Sequence, residues 1–255
     1  MNTLCQRLNL TSLPDQLSAL LEAARLQQLS YEAFLELVLT AEVTGRQQRA
    51  QERRLRAARL PFPARLDSFD FRFQPSVSER LIRELASLAF LQTATNVVLL
   101  GPPGVGKTHL ACGLAMAALE AGHSALFVTL RELAQHLDAP APRGGRAAWT
   151  RYSQPTLLII DEVGYTRLST DQAQALFELI AARYTRRSTI LTSNLTFAEW
   201  GSLLGDVVLA TALLDRLLHH AEVVAINGRS YRMRQRLPSD QATLLGAGPE
   251  RGSVG

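Results

Sequence analysis

Lysine is nearly missing from this chain. Of the 27 Lys and Arg residues in 255, Lys107 is the only lysine and all the others are arginine. Cysteine is scarce too. Cys5 and Cys112 are too few and too far apart in sequence for a disulfide framework or a zinc site, and Cys112 reads as a small buried hydrophobe. Aromatics make up only 6% of the chain, and no uninterrupted apolar run approaches the ~20 residues of a membrane-spanning helix. The N-terminus carries Asp15 and Glu22 and no small-residue cleavage site, so a signal peptide is not expected. These absences predict a cytoplasmic protein with no membrane partner. What remains, 47% hydrophobic and 20% charged, is an ordinary globular composition. The net charge of +4 is mild, but the arginines are clustered.

The lone lysine stands in the stretch around which everything else is organised, Gly101-Pro102-Pro103-Gly104-Val105-Gly106-Lys107-Thr108. The apolar run Asn96-Val97-Val98-Leu99-Leu100 precedes it and a helix-forming run, 110–119, follows it. Strand, glycine-rich turn and helix give G-x-x-x-x-G-K-[ST] the context of a phosphate site. Glycines let backbone N–H groups curl around an anion, and the helix N-terminus adds partial positive charge. Lys107 can reach the β- and γ-phosphates, and the Thr108 hydroxyl is placed to bind Mg2+. A compact ammonium fits between phosphates where a planar guanidinium does not.

Residues 1–60 read as all-helical, with Pro14 in a first turn and Ser30 capping a second helix. From Gly45 the character changes to a basic helix or arm, with Arg46, Arg49, Arg53, Arg54, Arg56 and Arg59 against a single Glu52. Pro61-Phe62-Pro63 marks a linker over 61–75. In it, Phe69, Phe71 and Phe73 fit either a short strand or a segment packing beside a nucleotide base, and the sequence leaves both open. Ser76 and Glu79 predict a capping box for a helix running to about Leu91.

A β-α rhythm follows. Strands are expected at 96–100, 124–129, 156–161, 188–193 and 222–227, with helices starting near Lys107, Leu130, Thr170 and Phe197. The pairs Thr129/Glu132, Ser169/Gln172 and Thr196/Glu199 support the last three starts. Continuous apolar strands alternating with helices indicate a parallel sheet covered on both faces. Residues 138–150 read as an irregular loop and 237–255 as a disordered tail. The domain that carries this rhythm is expected over 76–236.

Further signals carry chemistry. Thr156-Leu157-Leu158-Ile159-Ile160-Asp161-Glu162 places two carboxylates at the carboxyl edge of the sheet, where ligands of open α/β sheets bind. Asp161 can hold Mg2+, and Glu162 can polarise a water for attack on the γ-phosphate. Asn194, after the strand 188–193, is placed to contact that water or the phosphate. Arg216, among leucines in Leu213-Leu214-Asp215-Arg216-Leu217-Leu218, reads either as a snorkelling surface residue or as an arginine finger for a neighbouring subunit. The five histidines show no metal-ligand spacing. The clusters Arg183-Tyr184-Thr185-Arg186-Arg187 and 229–236 suit phosphate contacts and base stacking, so duplex DNA is the expected partner.

These residues together resemble the IstB family. The resemblance is carried by Phe69-Asp70-Phe71-Arg72-Phe73-Gln74-Pro75-Ser76, the loop with His109-Leu110-Ala111, and Leu157 to Glu162 with Gly164-Tyr165. It extends through Arg187 to Leu195 with Phe197 and Trp200, then Ala212 to Leu217 with His219-His220. IstB proteins are ATPase helpers encoded beside the transposase in certain insertion sequences, and are similar to the helicase loader DnaC and the initiator DnaA. The resemblance implies an α/β AAA+ P-loop NTPase fold, a five-stranded parallel sheet of order 5-1-4-3-2, and ATP and Mg2+ as cofactors. It also implies an ATP-dependent homo-oligomer that remodels duplex DNA and a transposase partner. Gly101, Pro102, Pro103, Gly104, Val105, Gly106, Lys107, Thr108 and His109 would bind nucleotide. Asp161 and Glu162 correspond to Walker B, Asn194 to sensor 1 and Arg216 to the arginine finger. The chain departs from the family pattern in 138–155, rich in Pro and Gly, and at Thr166-Arg167. It continues only briefly past the fifth strand, so neither a helical lid nor a lid-borne sensor arginine is expected. The rival readings are a helicase loader like DnaC, a small-molecule P-loop kinase and an ATP-binding clamp that never hydrolyses.

Overall fold

The computed structural model describes residues 2–137 and 145–234, and the chain divides into two compact units, Met1–Ala57 and Ala58–Gly255. The first is built from α1 (Asn2–Arg7), α2 (Leu13–Leu26) and the long α3 (Tyr31–Ala58). Pro14 sits in the first turn of α2, where a missing N–H is harmless. That turn is capped from afar: the buried Glu42 carboxylate accepts the N–H groups of Thr11, Ser12 and Leu13 at 3.1, 2.9 and 3.0 Å. Burial alone would raise the Glu42 pKa, but these bonds and the Arg46 guanidinium at 2.7 Å lower it to about 2. The helix runs through Gly45 unbroken. Arg46 and Arg49 are bonded to Glu42, Asn9 and Thr11, while Arg53 and Arg56 lie on the exposed face.

In the second unit, a 3-10 turn (Leu66–Ser68) leads to α4 (Glu79–Ala86), α5 (Ala89–Gln92) and β1 (Asn96–Leu100). Then come α6 (Lys107–Glu120), β2 (Ala125–Thr129), α7 (Leu130–Leu137), α8 (Gly145–Ser153), β3 (Leu157–Val163) and α9 (Thr170–Arg183). The order closes with β4 (Ser188–Ser193), a 3-10 turn (Phe197–Glu199), α10 (Trp200–Leu204), α11 (Val207–His219), β5 (Ala221–Ala225) and α12 (Tyr231–Arg234). The strands form one parallel sheet in the order β2-β3-β4-β1-β5, as expected. Side chains alternate between two cores. Val97, Leu99, Leu157 and Ile159 pack with α4 and α6, whereas Val98, Leu158 and Ile160 pack with α7, α9 and α11. This places the carboxyl ends of β1, β3 and β4 along one edge.

Several local expectations need correction. The cap of α4 is Ser78, whose hydroxyl accepts the Leu81 N–H; Ser76 instead accepts the Asn227 N–H. The helix expected to reach Leu91 is interrupted where Leu88 turns left-handed at φ +65°. Only Leu66–Ser68 form a 3-10 turn, and no strand forms over 66–73. The helix expected from Phe197 is three pieces, because Gly205 adopts φ +69° and Asp206 caps α11 afresh. Of the expected loop 138–150, residues 145–150 belong to α8, and 138–144 lie outside the described residues, as does the expected tail.

Arg183, assigned from sequence to a surface cluster, is 1% exposed. Its guanidinium donates to Thr189 Oγ1, to the Tyr152, Ser153 and Pro155 carbonyls, and to the Ser188 carbonyl. Burial and nearby Arg187 push its pKa down to about 9. The side chain therefore ties the end of α8 to the starts of β3 and β4. Arg183→Met should strand those carbonyls and lower stability by about 3 kcal/mol or more, measured as a drop in the urea midpoint at unchanged slope. An unaltered midpoint would mean that water replaces the guanidinium at no cost.

Candidate nucleotide-binding site

The loop between β1 and α6 is shaped by glycines that nothing else can replace. Gly104 has φ +81°, and a Cβ there would lie 2.1 Å from Ser230 Oγ. Gly106 has φ +103°, and its Cβ would meet the Phe69 ring at 2.6 Å. The loop ends in the free N–H groups of the first turn of α6, aimed where an anion would sit. A cavity of about 290 Å³ opens above it, lined by Gly104 to His109, Asp161, Glu162, Thr192 and Asn194. Phe62, Phe69, Tyr231 and Arg232 are also part of its wall.

Lys107 Nζ donates to the Gly101 and Pro102 carbonyls at 2.6 and 2.8 Å, folded back on its own loop. Burial pushes the Lys107 pKa down; Asp161 opposes this and Arg232 adds to it. Thr108 Oγ1 donates to both Asp161 carboxylate oxygens at 3.1 Å. A hydroxyl in contact with a buried carboxylate, and a second carboxylate beside it, form an oxygen-only donor set of the kind Mg2+ takes. The site therefore fits both implied groups, a polyphosphate and Mg2+.

The two acids share the cavity because β3 is bulged. Ile160 pairs with Leu191 and Val163 with Ser193, so β3 carries one residue more than β4 between those pairs. In an unbroken strand Asp161 and Glu162 would face opposite sides of the sheet. Here Glu162 takes φ +61°, rare for a residue with a side chain, and it lines the same cavity as Asp161. The Thr192 hydroxyl fixes the pair, donating to Asp161 Oδ1 at 2.5 Å and accepting the Glu162 N–H at 3.2 Å. Sequence reasoning expected β3 to stop at Asp161 and gave Thr192 no role. The available signal was a threonine two residues before Asn194 on the neighbouring strand. Asn194 Oδ1 is buried with no hydrogen-bond partner among the described residues, 2.4 Å from where a Cβ of Gly164 would stand. Such an orphaned acceptor beside a cavity marks a place for a donor.

His109 also lines the cavity, with Nε2 near the Arg65 carbonyl at 3.1 Å and Ser68 Oγ at 3.2 Å. Its ring lies 5.9 Å from Phe69 and 6.1 Å from Phe62. Of the two readings of 66–73, the structure favours packing beside the cavity. Arg216 is not part of this wall. It lies half-buried on α11, stacked 4.5 Å from the Phe177 ring centroid, with Nη1 donating to the Ala212 carbonyl. The clusters expected to meet DNA are partly consumed internally. Arg183 is core, Tyr184 pairs with His219, Arg187 holds Gln154, and Arg186 remains exposed. In 229–236, Tyr231 and Arg232 belong to the cavity, and residues 235 and 236 lie outside the described residues.

The family model for IstB-like ATP binding protein matches residues 3–239. The insertion sequence IS21 ATP-binding protein of Pseudomonas aeruginosa is 45% identical over 237 residues, covering 92% of this chain and 89% of its own. The insertion sequence IS5376 ATP-binding protein of Geobacillus stearothermophilus is 43% identical over 233 residues, covering 91% and 93%. Among solved structures, AMPPCP-bound DnaA from Aquifex aeolicus aligns at a TM-score of 0.55 with 20% identity, over 73% of this chain and 61% of that one. At that identity the likeness speaks for the AAA+ fold.

Proposed function

The chain belongs to the family of IstB-like ATP binding proteins, and on that premise we propose that it is a DNA-dependent AAA+ ATPase serving transposition. In this reading it binds ATP with Mg2+, assembles as a homo-oligomer on duplex DNA, hydrolyses ATP to reset, and assists the transposase of its own insertion sequence. The observation that carries the reading is the chain's single lysine in the phosphate loop, beside the bonded pair Thr108 and Asp161. The relatives named for insertion sequences support the transposition context.

The residues divide the work by position. Lys107 exchanges its two loop carbonyls for the β- and γ-phosphates, and the loop N–H groups receive the remaining phosphate charge. Bound through Thr108 and Asp161, Mg2+ would supply charge neutralisation at the phosphate oxygens. Glu162, exposed at the cavity edge, accepts a proton from the attacking water, and Asn194 orients that water. Arg216, outside its own cavity, acts on a neighbouring subunit's nucleotide. We assign 76–236 to the ATPase domain, 61–75 to a linker and 1–60 to a helical domain meeting DNA or a neighbour. The exposed Arg53, Arg56 and Arg186 supply phosphate contacts on duplex DNA.

The test is ATP turnover with and without duplex DNA, alongside particle mass by light scattering, for the natural chain and Lys107→Ala. DNA-stimulated turnover, a large ATP-dependent assembly, and loss of nucleotide binding in Lys107→Ala are the expected results. DNA-indifferent turnover by a monomer would overturn the DNA-remodelling reading and return the protein to metabolic P-loop enzymes.

A further inference from the structure

β4 lies between the strand that enters the phosphate loop and the strand that carries the two acids. On one side Thr192 pairs with Leu99 of β1, and the Ser193 carbonyl accepts the Gly101 N–H at 3.1 Å. β4 is therefore held in register with the loop. On the other side β3 sets two residues, Asp161 and Glu162, against Thr192 alone. A bulge of this kind leaves backbone groups without ladder partners. Hydroxyls of β4 take them up. Thr192 Oγ1 accepts the Glu162 N–H at 3.2 Å, and Ser193 Oγ donates to the Val163 carbonyl at 2.9 Å. Both residues are 1% exposed, so water does not compete for these bonds.

Among the described residues, seven other than glycine have positive φ. Six of them stand in turns; Glu162 alone stands within a strand. Such a backbone persists only where its surroundings hold it. The Thr192 hydroxyl is suited to that work because its roles are divided. Its one proton is committed to Asp161 Oδ1, which leaves its lone pairs for the Glu162 N–H. Valine has the same shape and can do neither.

We propose that Thr192 is a positioning residue for hydrolysis, holding Glu162 in the left-handed bulge from which its carboxylate meets the attacking water. The assignment rests on the reading of Glu162 as the general base. Thr192 bonds to the acids and not to Lys107 or the loop N–H groups, so its hydroxyl serves turnover and leaves nucleotide affinity alone.

Single-turnover phosphate release by Thr192→Val, Thr192→Ser, Glu162→Gln and the double variant Thr192→Val/Glu162→Gln tests this in the full chain. Thr192→Val is expected to lose roughly 10- to 100-fold in rate, the cost of a slightly misplaced catalytic group. Its affinity for N-methylanthraniloyl ATP, measured in EDTA, stays within a few-fold of the natural chain. Thr192→Ser, which keeps the hydroxyl, recovers most of the rate. In the Glu162→Gln background the same Thr192→Val change costs nothing further, because a residue that acts through the base has no base left to place. A natural rate in Thr192→Val, a Ser variant no faster than Val, or an equal further loss in the Glu162→Gln background would overturn the proposal. Urea midpoints accompany each rate, and where Thr192→Val does not fold, Thr192→Ala takes its place in the series. Glu162→Gln alone separates the two readings. If it keeps the natural rate, the base assignment falls; if it is slow and Thr192→Val is not, Thr192 alone has been misassigned.

Discussion

Glu162→Gln should lower ATP turnover about 10²- to 10⁴-fold, the range a positioned general base contributes, while ATP affinity stays within a few-fold. The substitution keeps the size, the left-handed backbone and the N–H bond to Thr192, and removes only the ability to accept a proton. Asp161 cannot take over the role. Its carboxylate is buried and holds two hydroxyls, those of Thr108 and Thr192, so it faces the phosphate side and not open water. Steady-state phosphate release and nucleotide binding, measured on the same preparation, decide the matter. Turnover that survives would move the base elsewhere and leave the β3 bulge without a catalytic purpose.

Arg216→Ala should be at least as damaging, about 10³- to 10⁵-fold in turnover, again without loss of nucleotide binding. Its guanidinium lies over Phe177 and does not line its own cavity, so on the proposed reading it would reach a transferring phosphate on another copy of the chain. The two variants then become each other's test. A Glu162→Gln subunit keeps its arginine, and an Arg216→Ala subunit keeps its base. Mixing the two inactive proteins should restore a fraction of turnover at interfaces where the intact arginine faces the intact base. If mixed assemblies form and stay inactive, Arg216 acts within its own subunit or only as packing.

Much of this arrangement is legible from sequence, and the exceptions have physical reasons. Apolar runs such as 157–160 and turn residues such as Gly101 to Gly106 act locally, so the strand order, the glycine-rich loop and the placement of Asp161 and Glu162 at the carboxyl edge are readable in one dimension. What fails is whatever depends on a partner far along the chain. Ser76 looked like a helix cap, but the N–H of Asn227 claims its hydroxyl, and Ser78 caps the helix. Arg183 looked like its neighbours Arg186 and Arg187 until Tyr152, Pro155 and Ser188 presented their carbonyls to it. The bulge at Glu162 depends on the pairing of Val163 with Ser193, which no pattern of apolar residues encodes. Tyr231 and Arg232 read as one more basic patch because the return of the chain across Gly104 leaves no periodic trace.

The scarcity of lysine makes the site chemically addressable. An acylating reagent finds a single side-chain amine in 255 residues, and its target sits on the phosphate loop with a pKa held below that of a free lysine. On the proposed reading, modification at that position and occupancy by a nucleotide should exclude each other, so the extent of acylation would count empty sites. A lysine-specific protease likewise has one bond to cut, at the start of α6, and cleavage there reports the opening of the loop alone.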